Sequence, residues 1–425
     1  MAIEVGRRVE PAGTRHATPE EALREGGREA VLAAARATSA VLAEHAAAHD
    51  RAGSFPFEGI DAIWAAGLGN LSLPAEQGGV GADLRTTAEA VAALGAGDPS
   101  AALVLVMHLI HLRLLALPEG GAPASLREAV VASSLRGPAL ANALRVEPEL
   151  GTPARGGVPA TRATRAVGPD GLPCWSLSGR KIFSTGAPGL EWLMVWGATA
   201  DDDPEGVRSG WFAARGDAPG VRIEETWDHL GMRASASHDV VLEDVRIPYD
   251  RAFGLTAPGG DTHGGRSDEL LGWMIALLLA AYRGVAHAAR DWLAGYLRER
   301  TPANLGAPLA SLPRMQSAFG EIAGRIATAD RLCESLAADI DAGGERAARA
   351  AAGAAQLKLA VTRELIESVA AAVALVGNAG LSRRNPLERH YRDVLCSRVH
   401  TPQDDAVLLA AGRAALTSST PPPGA

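Results

Sequence analysis

At 425 residues the chain is long enough for two or three sub-domains with large cores, and its net charge of −8 comes without a Lys/Arg run, which argues against a nucleic-acid partner. Cys174, Cys333 and Cys396 lie far apart in no metal-binding spacing and read as reduced thiols of a cytoplasmic protein. The opening MAIEVGRRVEPAGTRH has no apolar core behind its charges, so no secretory signal is expected. The longest apolar run, Leu270 to Tyr282, falls short of the about 20 residues a bilayer span needs, and no membrane association is expected.

Taken in order, Val31 to His49 is Ala-rich with apolar residues at helical spacing, and Phe57 to Ala66 gives a short second helix. After the turn-rich PAEQGGVGADL come helical runs over Arg85 to Leu94, Ser100 to Leu117 and Ala124 to Leu135. Residues 1–136 are thus expected to form a helical domain. From 137 to 250 the pattern changes to short β-like runs (CWSLSG, LEWLMVWGA, SGWFAAR, HDVVLEDVRI) cut by Gly, Pro and Asp, which predicts an antiparallel barrel or sandwich. Helices return over 251–417, at Glu269 to Arg298, Leu312 to Ala342, Arg346 to Val376 and Gln403 to Leu416, as a four-helix block. The last residues, 418–425, read as a disordered tail.

Several segments resemble the acyl-CoA dehydrogenase superfamily, collinearly and over almost the whole chain. LSLPAEQGGVGADL (Leu71 to Leu84) is similar to its N-terminal signature. SGRKIFSTGAPGLEWLMVWG (Ser178 to Gly197) and WDHLGMRASASHDVVLEDVRIP (Trp227 to Pro248) are similar to its β domain. Gly377-Asn378 and Arg392-Asp393 are similar to its last helices. The resemblance implies a mostly α fold with a central β domain, FAD as cofactor (FMN being the alternative), and a homotetramer. It also implies an electron-transfer partner or a separate flavin reductase. Phe183, Ser184 and Thr185 would lie against the flavin, while Arg300 and Gly377 would meet its pyrophosphate and ADP end across a subunit boundary. No GxGxxG follows a strand, so no nicotinamide site is expected.

The sequence departs from that family where its chemistry is done. The connector after Arg392-Asp393 commonly reads Tyr-Glu-Gly there, the Glu being the base; here it reads His400-Thr401-Pro402, and a threonine is no base near neutral pH. The second place that supplies a base in some members matches Met274, with Glu269 five residues away on another helix face. Asp404 and Asp405 stand near, but Thr401 as N-cap, Pro402 as first helical residue and Asp404 in the first turn make an ordinary helix start. Ala154 and Arg155 replace the usual Ser and Asp of another loop, which points to a changed substrate.

His400 resembles the histidine at the same place in flavin monooxygenases of this fold, such as dibenzothiophene monooxygenase. His108 resembles their second, pocket-facing histidine. His108 and His111 share a helix face, but with no third ligand nearby a metal is not expected. The expected function is a flavin-dependent oxidoreductase: a monooxygenase on a small organic substrate, with His400 and His108 handling protons. The alternatives are an acyl-CoA or acyl-carrier thioester dehydrogenase and a non-catalytic relative that binds flavin or a partner.

Overall fold

The computed structural model describes residues 17–151, 157–257 and 268–417. Five helices lead: α1 (Pro19–Ala52), α2 (Phe57–Ala65), α3 (Leu84–Gly97), α4 (Pro99–Ala116) and α5 (Ala124–Arg136). Their starts follow capping chemistry. Thr18 and Glu21 form a reciprocal capping box on α1, and the carboxylates of Asp83 and Asp98 accept the first free N–H groups of α3 and α4. α1 is kinked at Gly27, whose φ of 62° is non-helical. α4 is buried nearly all round, as its unbroken apolar sequence requires. By length and composition α4 and α6 (Asp268–Glu299) could each cross a bilayer, but their apolar windows are 89% and 83% buried within the fold.

The strands are β1 (Leu140–Leu144), β2 (Arg162–Val167), β3 (Pro173–Lys181), β4 (Leu190–Thr199), β5 (Ser209–Arg215), β6 (Val221–Glu224), β7 (Asp239–Pro248) and β8 (Ala252–Thr256). They form one eight-stranded sheet in the order β6-β7-β3-β2-β4-β5-β8, with β1 also on β4. The sheet is mixed, because β1 and β2 both pair with β4 in parallel. The expected all-antiparallel pairing therefore fails along β4: β1 pairs with it in parallel, and β2, antiparallel to β3 through the turn at Gly168 to Gly171, also meets it in parallel at Arg162 and Ala163. The β region runs past residue 250 to Thr256. Period-2 alternation along β4 divides the core. Leu193 and Val195 join the main apolar cluster, while Trp192, Met194 and Trp196 join a second one with Leu112, Leu115, Leu126 and Val130 of α4 and α5.

The C-terminal block contains α6, α7 (Pro313–Asp341), α8 (Gly344–Val376), a short α9 (Leu387–Leu395) and α10 (Asp404–Thr417). α9, an addition to the four expected helices, packs on α6 and α8; α10 rests on α8. The tightest crossing joins the two helical domains. A Cβ on Gly95 would lie 2.5 Å from the Ala281 carbonyl oxygen, and one on Gly284 2.4 Å from that of Ala92, so only glycines let α3 and α6 meet this closely. That crossing fixes the turn of α6 carrying Tyr282.

Candidate active site

The segment after β3 leaves the sheet in a left-handed turn. Phe183 has φ of 57°, uncommon for a bulky residue, and its side chain is 53% exposed. Main-chain bonds hold it there: Ile182 N–H donates to Val146 O, Ser184 N–H to His238 O and Gly186 N–H to Ser235 O. The Phe183 ring stands edge-on to Trp227 and His229, at 6.3 and 5.9 Å between centroids, and His229 stacks flat on Trp227 at 3.5 Å. The Ser237 hydroxyl donates to Thr185 Oγ1 at 3.0 Å, and the Asn142 side-chain amide donates to the Thr185 carbonyl at 2.9 Å. The Ser184 hydroxyl is buried without a hydrogen-bond partner.

An exposed aromatic face, an orphaned buried hydroxyl and a Thr hydroxyl free to donate fit a flat, hydrogen-bonding ring such as isoalloxazine. The strand behind this turn is braced by an ion pair: Lys181, wholly buried, lies 2.7 Å from Glu147, which also accepts from Thr161 and from the Ala160 N–H. Burial outweighs the carboxylate and brings the Lys181 pKa down to about 8.

The loop from Trp227 to Ala236 ties this turn to the helical bundle. Asp393 accepts the Met232 N–H at 2.7 Å, Arg392 donates to Leu230 O at 2.9 Å, and a Cβ on Gly231 would meet Arg392 O at 2.3 Å. Arg392 also grips Asp50 through two bonds of 2.9 and 2.7 Å and Glu388 at 2.8 Å. Burial pushes the Asp393 carboxyl up to about 7.

His400 follows α9. Its Nε2 lies 2.6 Å from the hydroxyl of Tyr282, a residue 1% exposed on α6. Burial, and then the Lys358 ammonium, hold the His400 pKa down at about 4, while burial raises the Tyr282 phenol well above its ordinary value. Near pH 7 the pair is therefore two neutral groups sharing a hydrogen bond. Lys358 donates to the carbonyls of His400 and Pro402 at 2.8 and 2.9 Å. With both carbonyls turned to this ammonium, the connector stays out of the helix and α10 begins only at Asp404. Thr401 is thus not the N-cap that its sequence context suggests: it is exposed, and the helix starts three residues later.

The remaining sequence-derived sites scatter. His108 is fully buried: its Nδ1 accepts the Ala141 N–H at 3.1 Å, its ring packs on Trp64, and burial takes its pKa to about 3. It is an interior residue that steadies β1, one position from the Asn142 that holds Thr185, with Trp64, Ser134 and Ala141 against its ring. Glu269 pairs with Arg113 at 2.9 Å, and Met274 is half-buried against the core. Arg300 and Gly377 are both exposed on the helical bundle. Ala154 and Arg155 fall outside the described residues. No hydrogen bond or ring contact joins His400 to Phe183, Ser184 or Thr185 among the described residues. Tyr282 and Trp227 escaped sequence reading, although Tyr282 was the one hydroxyl in an otherwise apolar helical run.

Three family models match in register with these domains: the N-terminal domain of acyl-CoA dehydrogenase over 26–118, its middle domain over 146–245 and its C-terminal domain over 268–403. The chain belongs to the acyl-CoA dehydrogenase family. YdbM of Bacillus subtilis, itself only provisionally named an acyl-CoA dehydrogenase, is 34% identical over 85% of this chain and 90% of its own length. The L-evernosamine nitrososynthase of a Micromonospora strain is 30% identical over 88% of this chain and 87% of its own. The structure of KijD3 with FMN and a dTDP-linked amino sugar superposes with a TM-score of 0.72 at 28% identity, covering 92% of this chain and 93% of that one. The family is one of flavin-dependent oxidoreductases.

Proposed function

We propose that the chain is a flavin-dependent monooxygenase acting on a small organic substrate, most simply as a cytoplasmic homotetramer fed with reduced flavin by a separate reductase. The observation that carries this reading is the replacement of the family's base by an exposed Thr401 beside the His400–Tyr282 pair. Two neighbouring carboxylates are engaged elsewhere, Asp393 with the Met232 N–H and Glu269 with Arg113. Asp404 lies 4.0 Å from Lys358 with its Oδ1 buried and without a hydrogen-bond partner among the described residues, which leaves it as the candidate base of the dehydrogenase reading. Proton abstraction from a thioester needs a free carboxylate at the substrate, and oxygenation does not. The similarity to a nitrososynthase and to the FMN-bound KijD3 supports the same direction.

In this reading a bound flavin supplies the two electrons that, with O2 and two protons, deliver one oxygen atom to the substrate and release water. Phe183 covers the ring and excludes water, and Thr185 hydrogen-bonds its edge. Arg300 and Gly377 of an adjoining subunit would hold the phosphate end. His400 and the phenol of Tyr282, both neutral, would relay a proton in concert, each taking one proton as it gives one up, so that neither carries a charge in the buried site.

The test is coupling: with reduced flavin, O2 and a substrate that the wild-type chain oxygenates, His400→Phe should lower product yield and raise hydrogen peroxide release. Unchanged yield would remove His400 from the chemistry. The second reading, an acyl-CoA dehydrogenase, draws on YdbM and requires a base other than Thr401.

A further inference from the structure

We propose that the cleft between the C-terminal half of α1 and the turn entering α9 is a binding site for a phosphate-bearing ligand, gripped by Arg51, Arg383, Arg384 and Arg389. Two adjoining cavities of about 240 and 220 Å³ share Asp50, Arg51 and Arg383 in their walls. The acids at hand are already engaged: Asp50 and Glu388 both by Arg392, and Asp228 by Arg233. No hydrogen bond or ion pair from the side chains of Arg51, Arg383 or Arg384 occurs among the described residues. Arg389, which lines the second cavity, is only 9% exposed; its Nε has no hydrogen-bond partner among the described residues, although the Asp98 and Asp393 carboxyls act on it through space.

This is an unusual place for unpaired cations on a chain whose net charge is −8. Several other surface arginines find acids, as Arg325 finds Glu364 and Glu367, whereas here three without such a partner stand around two cavities that share walls. Like charges held together repel, and a buried guanidinium N–H without an acceptor is costly, so the arrangement is relieved by an anion entering the cleft. Phosphate and pyrophosphate suit it better than a single carboxylate. Several guanidinium forks facing two joined cavities match an anion with many oxygens and more than one charge. The turn that carries them is stiff, because Asn385 donates to the Ala379 carbonyl at 2.7 Å and accepts the Leu387 N–H at 3.1 Å, which fixes the backbone between Arg384 and α9.

The phosphate has two sources. His229, in the wall of the first cavity, stacks on the Trp227 that flanks Phe183, so the cleft adjoins the face proposed for the flavin. The group is therefore either the flavin's own phosphate, seated here in place of Arg300 and Gly377, or a phosphorylated compound bound beside a flavin that those residues hold.

The test is calorimetric titration of the full chain with inorganic pyrophosphate, with and without saturating FMN. Binding should be one-to-one and weaken with salt. Arg383→Gln and Arg51→Gln, both at exposed positions, should each weaken it about tenfold, the loss of one charge-assisted contact. Arg331→Gln, on the far-exposed face of α7, should leave it unchanged. Competition by FMN would assign the site to the cofactor's phosphate, and undiminished binding beside FMN to a separate phosphorylated ligand. Absence of pyrophosphate binding in both states, or binding indifferent to both substitutions, would overturn the proposal. A chain that takes up no flavin yet binds pyrophosphate would keep this site and lose the monooxygenase reading.

Discussion

Tyr282→Phe isolates the contact on which the proton-handling pair rests. It deletes one oxygen and keeps the ring that packs between α6 and α9, so no cavity larger than a hydroxyl opens. The lost bond is short, at 2.6 Å, and it leaves His400 Nε2 unpartnered in an interior where burial already holds the imidazole neutral. An unsatisfied buried polar atom costs about 1–3 kcal/mol, and the upper half applies because Tyr282 is 1% exposed and water has little access. Denaturation of Tyr282→Phe, His400→Phe and the double variant forms a cycle whose coupling should be at least about 1 kcal/mol, since the two residues touch. The same variant should release more hydrogen peroxide per reduced flavin consumed, because His400 has lost the group that shares its proton. Zero coupling energy, together with wild-type oxygen coupling, would refute both the contact and its role.

Other consequences follow from the same geometry. Phe183→Ala removes a ring that is 53% exposed, so it should barely alter stability yet weaken flavin binding about tenfold by absorbance titration; unchanged affinity would reduce Phe183 to a packing partner of Trp227 and His229. His400 titrates near 4 in the fold against 6.5 unfolded, so below pH 6.5 the unfolded chain binds the extra proton. Stability should fall as pH drops from 6.5 towards 4, by up to about 3 kcal/mol from this group, and the His400→Phe variant should show a shallower acid loss. Lys181→Met leaves Glu147 buried without its cation and should destabilise by about 3–5 kcal/mol in a denaturation series; a loss below about 1 kcal/mol would mean that water reaches the pair.

Much of the architecture was legible because it is written in periodicity. The helices of both ends, the change from helices to strands and the turn that carries Phe183 all have local signals: caps, apolar spacing and the GRKIFSTG segment. Three things were not local. β1 lies parallel to β4, and β2, the hairpin partner of β3, also meets β4 in parallel, pairings of strands that are not joined by a turn. Thr401-Pro402 reads as a helix start, but the ammonium of Lys358, more than forty residues earlier, takes the two carbonyls and delays α10. His108 and His400 both read in sequence as proton-handling groups, and only tertiary contacts separate them. One is satisfied by the Ala141 N–H inside the core, the other by a phenol from α6.

The monooxygenase reading and the dehydrogenase reading differ in which partner oxidises or reduces the flavin. The most direct measurement is therefore rapid mixing of flavin-loaded protein along two arms. In one, oxidised protein meets a series of acyl-CoA thioesters without oxygen; in the other, photoreduced protein meets O2 and product formation is followed. The account predicts no bleaching of the flavin absorbance by any thioester, and oxygen-dependent product formation that falls in His400→Phe while hydrogen peroxide rises. Fast bleaching by an acyl-CoA, abolished by Asp404→Asn or Glu269→Gln and accompanied by no oxygenated product, would contradict it.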